Sequence, residues 1–252
     1  MDSGYTLENG YLLLNFDSMG RLIGFYSKLL GYQWISPGYK PGNWKIALLT
    51  GGYPVQYIMG RDQTPANVEQ HPDTIEFVFD PLTVDGQAVD IGVSFCISLV
   101  GEEVHFSLKI RNASGRRIRE AWVPIMTGFE GYSEEEVDHI VHLARAGLIG
   151  QDVLRKGLPE AEYMFCVDGE LAEYRYRPSF ESMPWMDLYG DGKGLYVAVH
   201  DAQPNLQVLR IEKSPPELGT EFRGGDERVY FPPDVPRWMS IMAGQLTTID
   251  HG

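Results

Sequence analysis

Cysteine is scarce in this sequence. The two cysteines are Cys96, in the apolar run GVSFCISLV, and Cys166, in EYMFCVDGE. No CxxC pair and no zinc-ligand spacing accompanies them, so no metal site is predicted. Two isolated cysteines in such surroundings are most simply buried free thiols.

Long apolar runs are also missing. No uninterrupted run reaches about 18 residues, so no membrane-spanning helix is predicted. The N-terminal stretch MDSGYTLENG has neither a basic region nor an apolar region of the kind that secretory signals carry. The sequence as it stands therefore predicts a cytoplasmic protein, or a secreted one if a leader has been removed.

Positive charge is in short supply. There are 35 acidic residues against 21 basic ones, which gives a formal net charge of -14. A surface of this sign repels polyanions and excludes nucleic acid as a partner, but it suits neutral or cationic ligands. The GxGxxG, P-loop, GxSxG and HExxH motifs are absent, and no cofactor is predicted.

Aromatic residues, in contrast, make up 12% of the chain. Flat aromatic rings pack on the apolar faces of sugars, so this enrichment is typical of a carbohydrate-binding protein. It is equally typical of β-rich proteins, because strands favour Tyr, Trp and Phe. Composition alone leaves both interpretations open.

Short strands dominate the predicted secondary structure. In VHFSLKIRN, from Val104 to Asn112, apolar and polar residues alternate with the period of two that a half-buried strand requires. YLLLNF and RLIGFY flank a turn at Asp17 to Gly20, and IREAWVPIMTGF reads as a strand broken by Pro124. Many such strands without a long amphipathic helix predict an all-β fold, a large antiparallel β-sandwich over residues 1–252.

The segment SEEEVDHIVHLARAGLIG is ambiguous. Ser133 and Glu136 form a capping box, which favours a short helical turn over Ser133–Val137, followed by extended chain. On a helix, His139 and His142 could share a metal ion. On a strand, residues three apart point to opposite faces, and the pair is lost.

The segment FESMPWMDLYGDGKGLYVAVHDAQP carries the candidate chemistry. Glu181 and Asp187 flank SMPW, and glycosidases cleave with paired carboxylates that face each other. Trp185 either stacks on a ligand or packs in the fold. His200 and Asp201 are either a general acid and base or the residues that end a strand before a turn. GDGKG, from Gly190 to Gly194, reads as a hairpin turn.

The opening segment LENGYLLLNFDSMGRLIGFYSKLLGYQWI resembles that of galactose mutarotase-like supersandwich domains. Their first strands follow the pattern N-x-x-L-x-L-x-F-D-x-x-G-x-L, and this chain matches it with Asn9, Leu12, Leu14, Phe16, Asp17, Gly20 and Leu22. The strand WVPIMTGF resembles the one that precedes the central motif of such domains. The resemblance implies a galactose mutarotase-like supersandwich of two large antiparallel sheets.

The central motif is shared with a family of large glycosidase-like proteins. SMPWMDLYGDGKGLYVAVHD is similar to their pattern S-M-Q-W-M-x-L-Y-D-x-x-x-G-L-Y-L-A-x-H-D, with Pro184 in place of a polar residue. In that family a catalytic (α/β)8-type barrel follows the sandwich. The resemblance thus implies a C-terminal catalytic barrel domain or subunit as a partner.

Three functions follow as expectations. The first is a non-catalytic N-terminal β-sandwich of a glycoside hydrolase-like protein, which supports the sugar site. The second is a stand-alone carbohydrate epimerase, mutarotase or lyase that uses His200 and a carboxylate, although the Asn-His pair of true aldose 1-epimerases is missing. The third is a sugar-binding or assembly module without catalysis. The predicted ligand-binding residues are Trp185, Glu181, Tyr189 and Arg177, and the catalytic candidates are His200, Asp201 and Glu181.

Overall fold

The fold is built almost entirely of antiparallel strands. A computed structural model describes residues 4–35, 42–49, 56–129, 139–142, 148–151, 165–167, 171–176, 185–200, 206–214 and 238–249. These residues form 21 β-strands and a single turn of 3-10 helix, Gly60–Asp62. Every strand pair in the described part of the chain is antiparallel. The predicted all-β antiparallel class is confirmed.

The first sheet is a meander of four strands in chain order. Asn9 holds its first turn, because its side-chain oxygen accepts the backbone N–H groups of Tyr11 and Leu12, each at 2.8 Å. Asp17 holds the second turn in the same way and also pairs with Arg21 at 2.5 Å. The strands are β1 (Tyr5–Glu8), β2 (Leu12–Phe16), β3 (Leu22–Ser27) and β4 (Tyr32–Ile35).

The second sheet contains the alternating strand that the sequence predicted. Its order is β12-β11-β8-β7, and a two-stranded hairpin, β9–β10, lies between β8 and β11 in the chain. In β12 the apolar residues are half-buried, whereas the intervening polar ones are exposed, as the period of two requires. The strands are β7 (Asn67–His71), β8 (Thr74–Phe79), β9 (Leu82–Val84), β10 (Gln87–Val89), β11 (Ile91–Val100) and β12 (Glu103–Asn112).

The third sheet is the largest, with seven strands in the order β16-β17-β20-β21-β13-β5-β6. The prediction that Pro124 breaks β13 was wrong. The strand continues through Pro124, and its pairing with β21 shifts register between Trp122 and Ile125, so a bulge accommodates the proline. The strands are β5 (Lys45–Leu48), β6 (Gln56–Met59), β13 (Ile118–Phe129), β16 (Phe165–Val167), β17 (Leu171–Tyr176), β20 (Leu206–Ser214) and β21 (Trp238–Ile249).

The fourth sheet carries the central motif. Its order is β15-β14-β18-β19, formed by β14 (His139–His142), β15 (Leu148–Gln151), β18 (Trp185–Gly190) and β19 (Lys193–Ala198). The GDGKG segment is a hairpin turn, in which Asp191 and Gly192 both have positive φ angles, 49° and 67°. The helical turn predicted at Ser133–Val137 lies outside the described residues, whereas the extended chain predicted after it is present as β14.

The core lies between the sheets and is rich in phenylalanine. The Phe77 ring of the second sheet contacts the rings of Tyr5 and Phe16 in the first sheet, with centroids 5.5 and 5.7 Å apart. It also stacks on Phe95 of the neighbouring strand at 6.4 Å. Phe77 is fully buried. These contacts join the first two sheets across one apolar layer.

The cysteine prediction holds only in part. Cys96 is a free thiol, as expected, but it is half-buried rather than buried. Its pKa is raised, chiefly by burial and secondarily by the nearby Glu76 carboxylate. The side chain of Cys166 lies outside the described residues.

The described part of the chain contains no helix that is long and apolar enough to cross a membrane.

Gly20 provides a test of the packing between the first two sheets. Its φ of +72° favours glycine, and a Cβ there would lie 2.8 Å from the Phe77 ring. Gly86 has a similar φ of +77° but nothing within 4 Å of the added Cβ. Gly86→Ala should lower the free energy of unfolding by about 1–3 kcal/mol, because a non-glycine residue is strained at a positive φ and no side chain obstructs the added methyl group. Gly20→Ala should cost more, since the Phe77 ring must also move. Chemical denaturation of both variants measures the difference, and equal losses would contradict the packing described.

Candidate functional site

The candidate site lies on β18, whose side chains alternate between two environments. Met186 and Leu188 are buried in the core, at 1% and 3% exposure. Trp185, Asp187 and Tyr189 are half-buried on the opposite face. The strand period of two thus places an indole, a carboxylate and a phenol in a row on one face.

The neighbouring strands complete this row. Register pairs Asp187 with Tyr196 of β19, and Tyr189 with His139 of β14. The His139 and Tyr189 rings are stacked, with centroids 4.8 Å apart and planes inclined by 12°. The Trp185 and Tyr196 rings lie 5.6 Å apart at 41°. We call the five residues His139, Trp185, Asp187, Tyr189 and Tyr196 the aromatic face.

Asp187 supplies the carboxyl group of the aromatic face. Burial raises the pKa of its carboxyl group above the ordinary value. Within the described part of the chain, the carboxylate has neither a hydrogen-bond donor nor a cation partner. A half-buried carboxylate without a partner costs free energy, and groups of this kind concentrate at functional sites.

Beside this carboxylate, Gly194 of β19 leaves free the space that a side chain would occupy, and we call this space the hollow. Gly194 is exposed and pairs with Tyr189 across the strands. A Cβ added there would lie 3.4 Å from Asp187 Oδ1, 3.6 Å from Tyr189 Cβ and 3.9 Å from Asp187 Oδ2. A methyl-sized group at this position would therefore touch both carboxylate oxygens without a clash.

His139 adds a second unsatisfied group. Its Nδ1 is buried and finds no hydrogen-bond partner among the residues that the structure describes. A buried ring nitrogen normally finds a donor or acceptor, so an orphaned one is a candidate to bind a ligand.

The residues predicted from sequence are only partly brought together. Trp185 and Tyr189 lie on the aromatic face. His200 is exposed and lies beyond the end of β19, and its catalytic role stays a prediction. Glu181, Arg177 and Asp201 lie outside the described residues.

The sequence predicts other roles for two residues of the aromatic face and no role for a third. His139 had been considered as a metal ligand with His142, but β14 is a strand, so the shared helical face is absent. Among the described residues, no group of three or more His, Cys, Asp or Glu side chains is placed to hold a metal ion. Asp187 had been considered only as the partner of Glu181, and Tyr196 received no role. The alternation WMDLY was the available signal for Asp187, since it sets Trp185, Asp187 and Tyr189 on one face.

A second polar cluster lies on the seven-stranded sheet, and the sequence analysis missed it. The ammonium of Lys45, a residue only 5% exposed, lies over the rings of Tyr57 and Trp122, 5.2 and 4.9 Å from their centroids. The Tyr57 hydroxyl and the Trp122 indole N–H both donate to Glu120 Oε2, at 2.9 and 3.0 Å. The cluster links β6, β5 and β13 through cation–π contacts and hydrogen bonds.

Comparison with known proteins identifies the fold. A galactose mutarotase-like protein from Lactobacillus casei superposes with a TM-score of 0.54 at 11% sequence identity, over 99% of this chain and 96% of that one. A candidate aldose 1-epimerase from Escherichia coli K12 gives a TM-score of 0.41 at 12% identity, over 96% and 87% of the two chains. No family model matches the sequence, and no curated protein matches it significantly. The chain has the galactose mutarotase-like fold predicted from its motifs.

The raised pKa of Asp187 predicts how its replacement changes stability. The folded state binds the carboxyl proton more tightly than the unfolded state, so the carboxyl stabilises the protein at low pH. This stabilisation is lost as pH rises through the folded-state pKa. Asp187→Asn should therefore raise the midpoint of thermal unfolding near neutral pH, and the gain should shrink as pH falls below the ordinary Asp range. Asp73→Asn, at an exposed position in the β7–β8 turn, is the control. A destabilised Asp187→Asn variant at neutral pH would contradict this account.

Proposed function

We propose that the aromatic face is a carbohydrate-binding site. The observation that carries the proposal is the arrangement of Trp185, Tyr189 and Tyr196 around the carboxylate of Asp187, which has no partner in the described part of the chain. Aromatic rings pack against the C–H faces of a sugar. A carboxylate accepts hydrogen bonds from two adjacent hydroxyl groups. Together these groups form a mostly apolar surface with one well-placed polar group, which is the usual composition of a small-ligand site.

The rest of the molecule is compatible with a sugar ligand. The net charge of -14 disfavours polyanionic ligands and permits neutral or cationic ones. The name of the Lactobacillus casei neighbour, a galactose mutarotase-like protein, suggests a sugar by analogy. Because one fold hosts many functions, the proposal depends on the site and not on this analogy.

In its finer form, the proposal assigns this chain a non-catalytic role. It would be the sandwich domain of a glycoside hydrolase-like protein and present its aromatic face to a sugar held by a catalytic barrel. This partner is predicted from the similarity of SMPWMDLYGDGKGLYVAVHD to large glycosidase-like proteins. The cytoplasmic location is likewise a prediction from the sequence.

Direct binding measurements test the sugar site. The chain should bind D-glucose or D-galactose in calorimetric titrations or in ligand-observed NMR. Trp185→Ala and Tyr196→Ala should each weaken binding about tenfold, which corresponds to about 1.4 kcal/mol. Tyr11→Ala removes a tyrosine that is 43% exposed in the turn between β1 and β2 and should leave binding unchanged. Equal losses in all three variants, or none in any, would contradict the proposed location.

A second candidate function is proton transfer to and from a bound sugar, as in an epimerase or mutarotase. The raised pKa of Asp187 favours it, because a general acid–base group works best with a pKa near the working pH. No described residue pairs with this carboxylate, so it is free to exchange a proton with a ligand. Opening the ring of an aldose requires one group to remove the proton of the anomeric hydroxyl and another to protonate the ring oxygen. Asp187 would serve as one of these groups. His139, on the same face, and His200, predicted from sequence, are the candidates for the other.

Polarimetry with freshly dissolved α-D-glucose or α-D-galactose tests this activity. The chain should accelerate mutarotation, and Asp187→Asn should reduce the acceleration by at least about a hundredfold. Parallel losses in His139→Gln or His200→Ala would identify the second group, and Asp73→Asn is the control. If the wild-type chain binds sugar but leaves the spontaneous rate unchanged, the catalytic candidate is rejected and the binding function stands.

A further inference from the structure

We infer that the hollow above Gly194 is a subsite for an ammonium group, and hence that the sugar taken by the aromatic face is an amino sugar. This inference rests on the proposed carbohydrate-binding function and names its substrate class. The hollow is bounded by the Asp187 carboxylate and by the neighbouring positions of Tyr189 and Tyr196.

The hollow has suitable boundaries for a small cation. Its floor is the backbone at Gly194, where an added Cβ would be in ordinary van der Waals contact with Asp187 and Tyr189. Tyr196 lies two residues after Gly194 on β19, on the same face of the sheet, and is 56% exposed. A group held there contacts the Asp187 carboxylate on one side and the Tyr189 Cβ on the other.

The chemistry of these boundaries favours a cation over a neutral hydroxyl. A carboxylate forms its strongest hydrogen bonds with charged donors. Aromatic faces attract ammonium groups through the ring quadrupole, so the exposed Tyr196 ring on the same face adds to the attraction of a cation. A hydroxyl group also donates a hydrogen bond to the carboxylate, but it brings neither an opposite charge nor a cation–π attraction.

The nearest cation in the sequence is engaged elsewhere. Lys193 contacts the Asp191 carboxylate in the hairpin turn, and its ammonium lies over the Tyr32 ring of β4, 5.4 Å from the centroid. Strand alternation places Lys193 with Leu195 and Val197 on the face opposite Gly194 and Tyr196. Within the described residues, no cationic side chain of the protein pairs with Asp187. The negative net charge also raises the local concentration of cationic ligands.

A matched set of sugars tests the inference on the full chain. D-glucosamine, N-acetyl-D-glucosamine and D-glucose share one ring and differ at a single substituent: ammonium, neutral amide or hydroxyl. In calorimetric titrations near neutral pH, glucosamine should bind at least tenfold more tightly than either of the other two. Asp187→Asn should abolish this preference, because the amide carries no charge.

Gly194→Ala is the second variant, and it leaves the charge intact. Its Cβ fits without a clash and its φ lies outside the left-handed region, so the fold should be retained. The methyl group fills the hollow and should weaken glucosamine binding at least tenfold. Gly10→Ala, where nothing lies within 4 Å of the added Cβ, is the control and should have no effect.

The outcomes separate this inference from the proposed function. If the three sugars bind with similar affinities and Trp185→Ala weakens them all, the ammonium subsite is overturned and the sugar site stands. If none of the three sugars binds the folded chain, both fail. A glucosamine preference that survives Asp187→Asn, or that Gly194→Ala leaves unchanged, also overturns the subsite. If the Asp187→Asn variant does not fold, the effect of Gly194→Ala on glucosamine binding tests the ammonium subsite.

Discussion

The burial of Met186 and Leu188 is the interaction on which the candidate site depends. These side chains pack in the core with Ile140 and Val197 of the adjacent strands. Because strand side chains alternate, burying this pair places Trp185, Asp187 and Tyr189 together on the other face. A slip of one residue would bury the carboxylate and expose the methionine, so hydrophobic burial specifies the register that builds the site.

The same core tolerates the unfavourable features of the aromatic face. Phe77 and its ring neighbours join the first two sheets in a large apolar layer. A fold stabilised in this way can retain the half-buried carboxylate of Asp187 and the His139 Nδ1, which has no partner among the described residues. Buried polar groups without hydrogen-bond partners occur mainly at positions where function requires them. The Lys45 cluster contrasts with this site, since its charged and polar groups contact one another.

Much of the fold was predictable, because its signals are local. The turn residues Asn9, Asp17 and Gly20 each satisfy a nearby backbone requirement, by side-chain hydrogen bonds or by a positive φ. The alternation from Val104 to Ile110 describes the exposure of β12 directly. Pro124 was misjudged because a bulge in β13 accommodates it, and bulges depend on the partner strand. The half-exposure of Cys96 likewise depends on what covers its face of the sheet.

The sequence by itself determined the strand class, the hairpin at Asp191 and Gly192, and the shared face of Trp185, Asp187 and Tyr189. These features depend on residues close together in the chain, where the backbone period alone sets side-chain direction. Only the tertiary structure decided that His139 stacks on Tyr189, that Tyr196 lies beside Trp185, and that Asp187 has no partner among the described residues. The first of these contacts pairs β14 with β18, strands that are distant in sequence. Such pairing, and the burial that raises the Asp187 pKa, exist only when the sheet has formed.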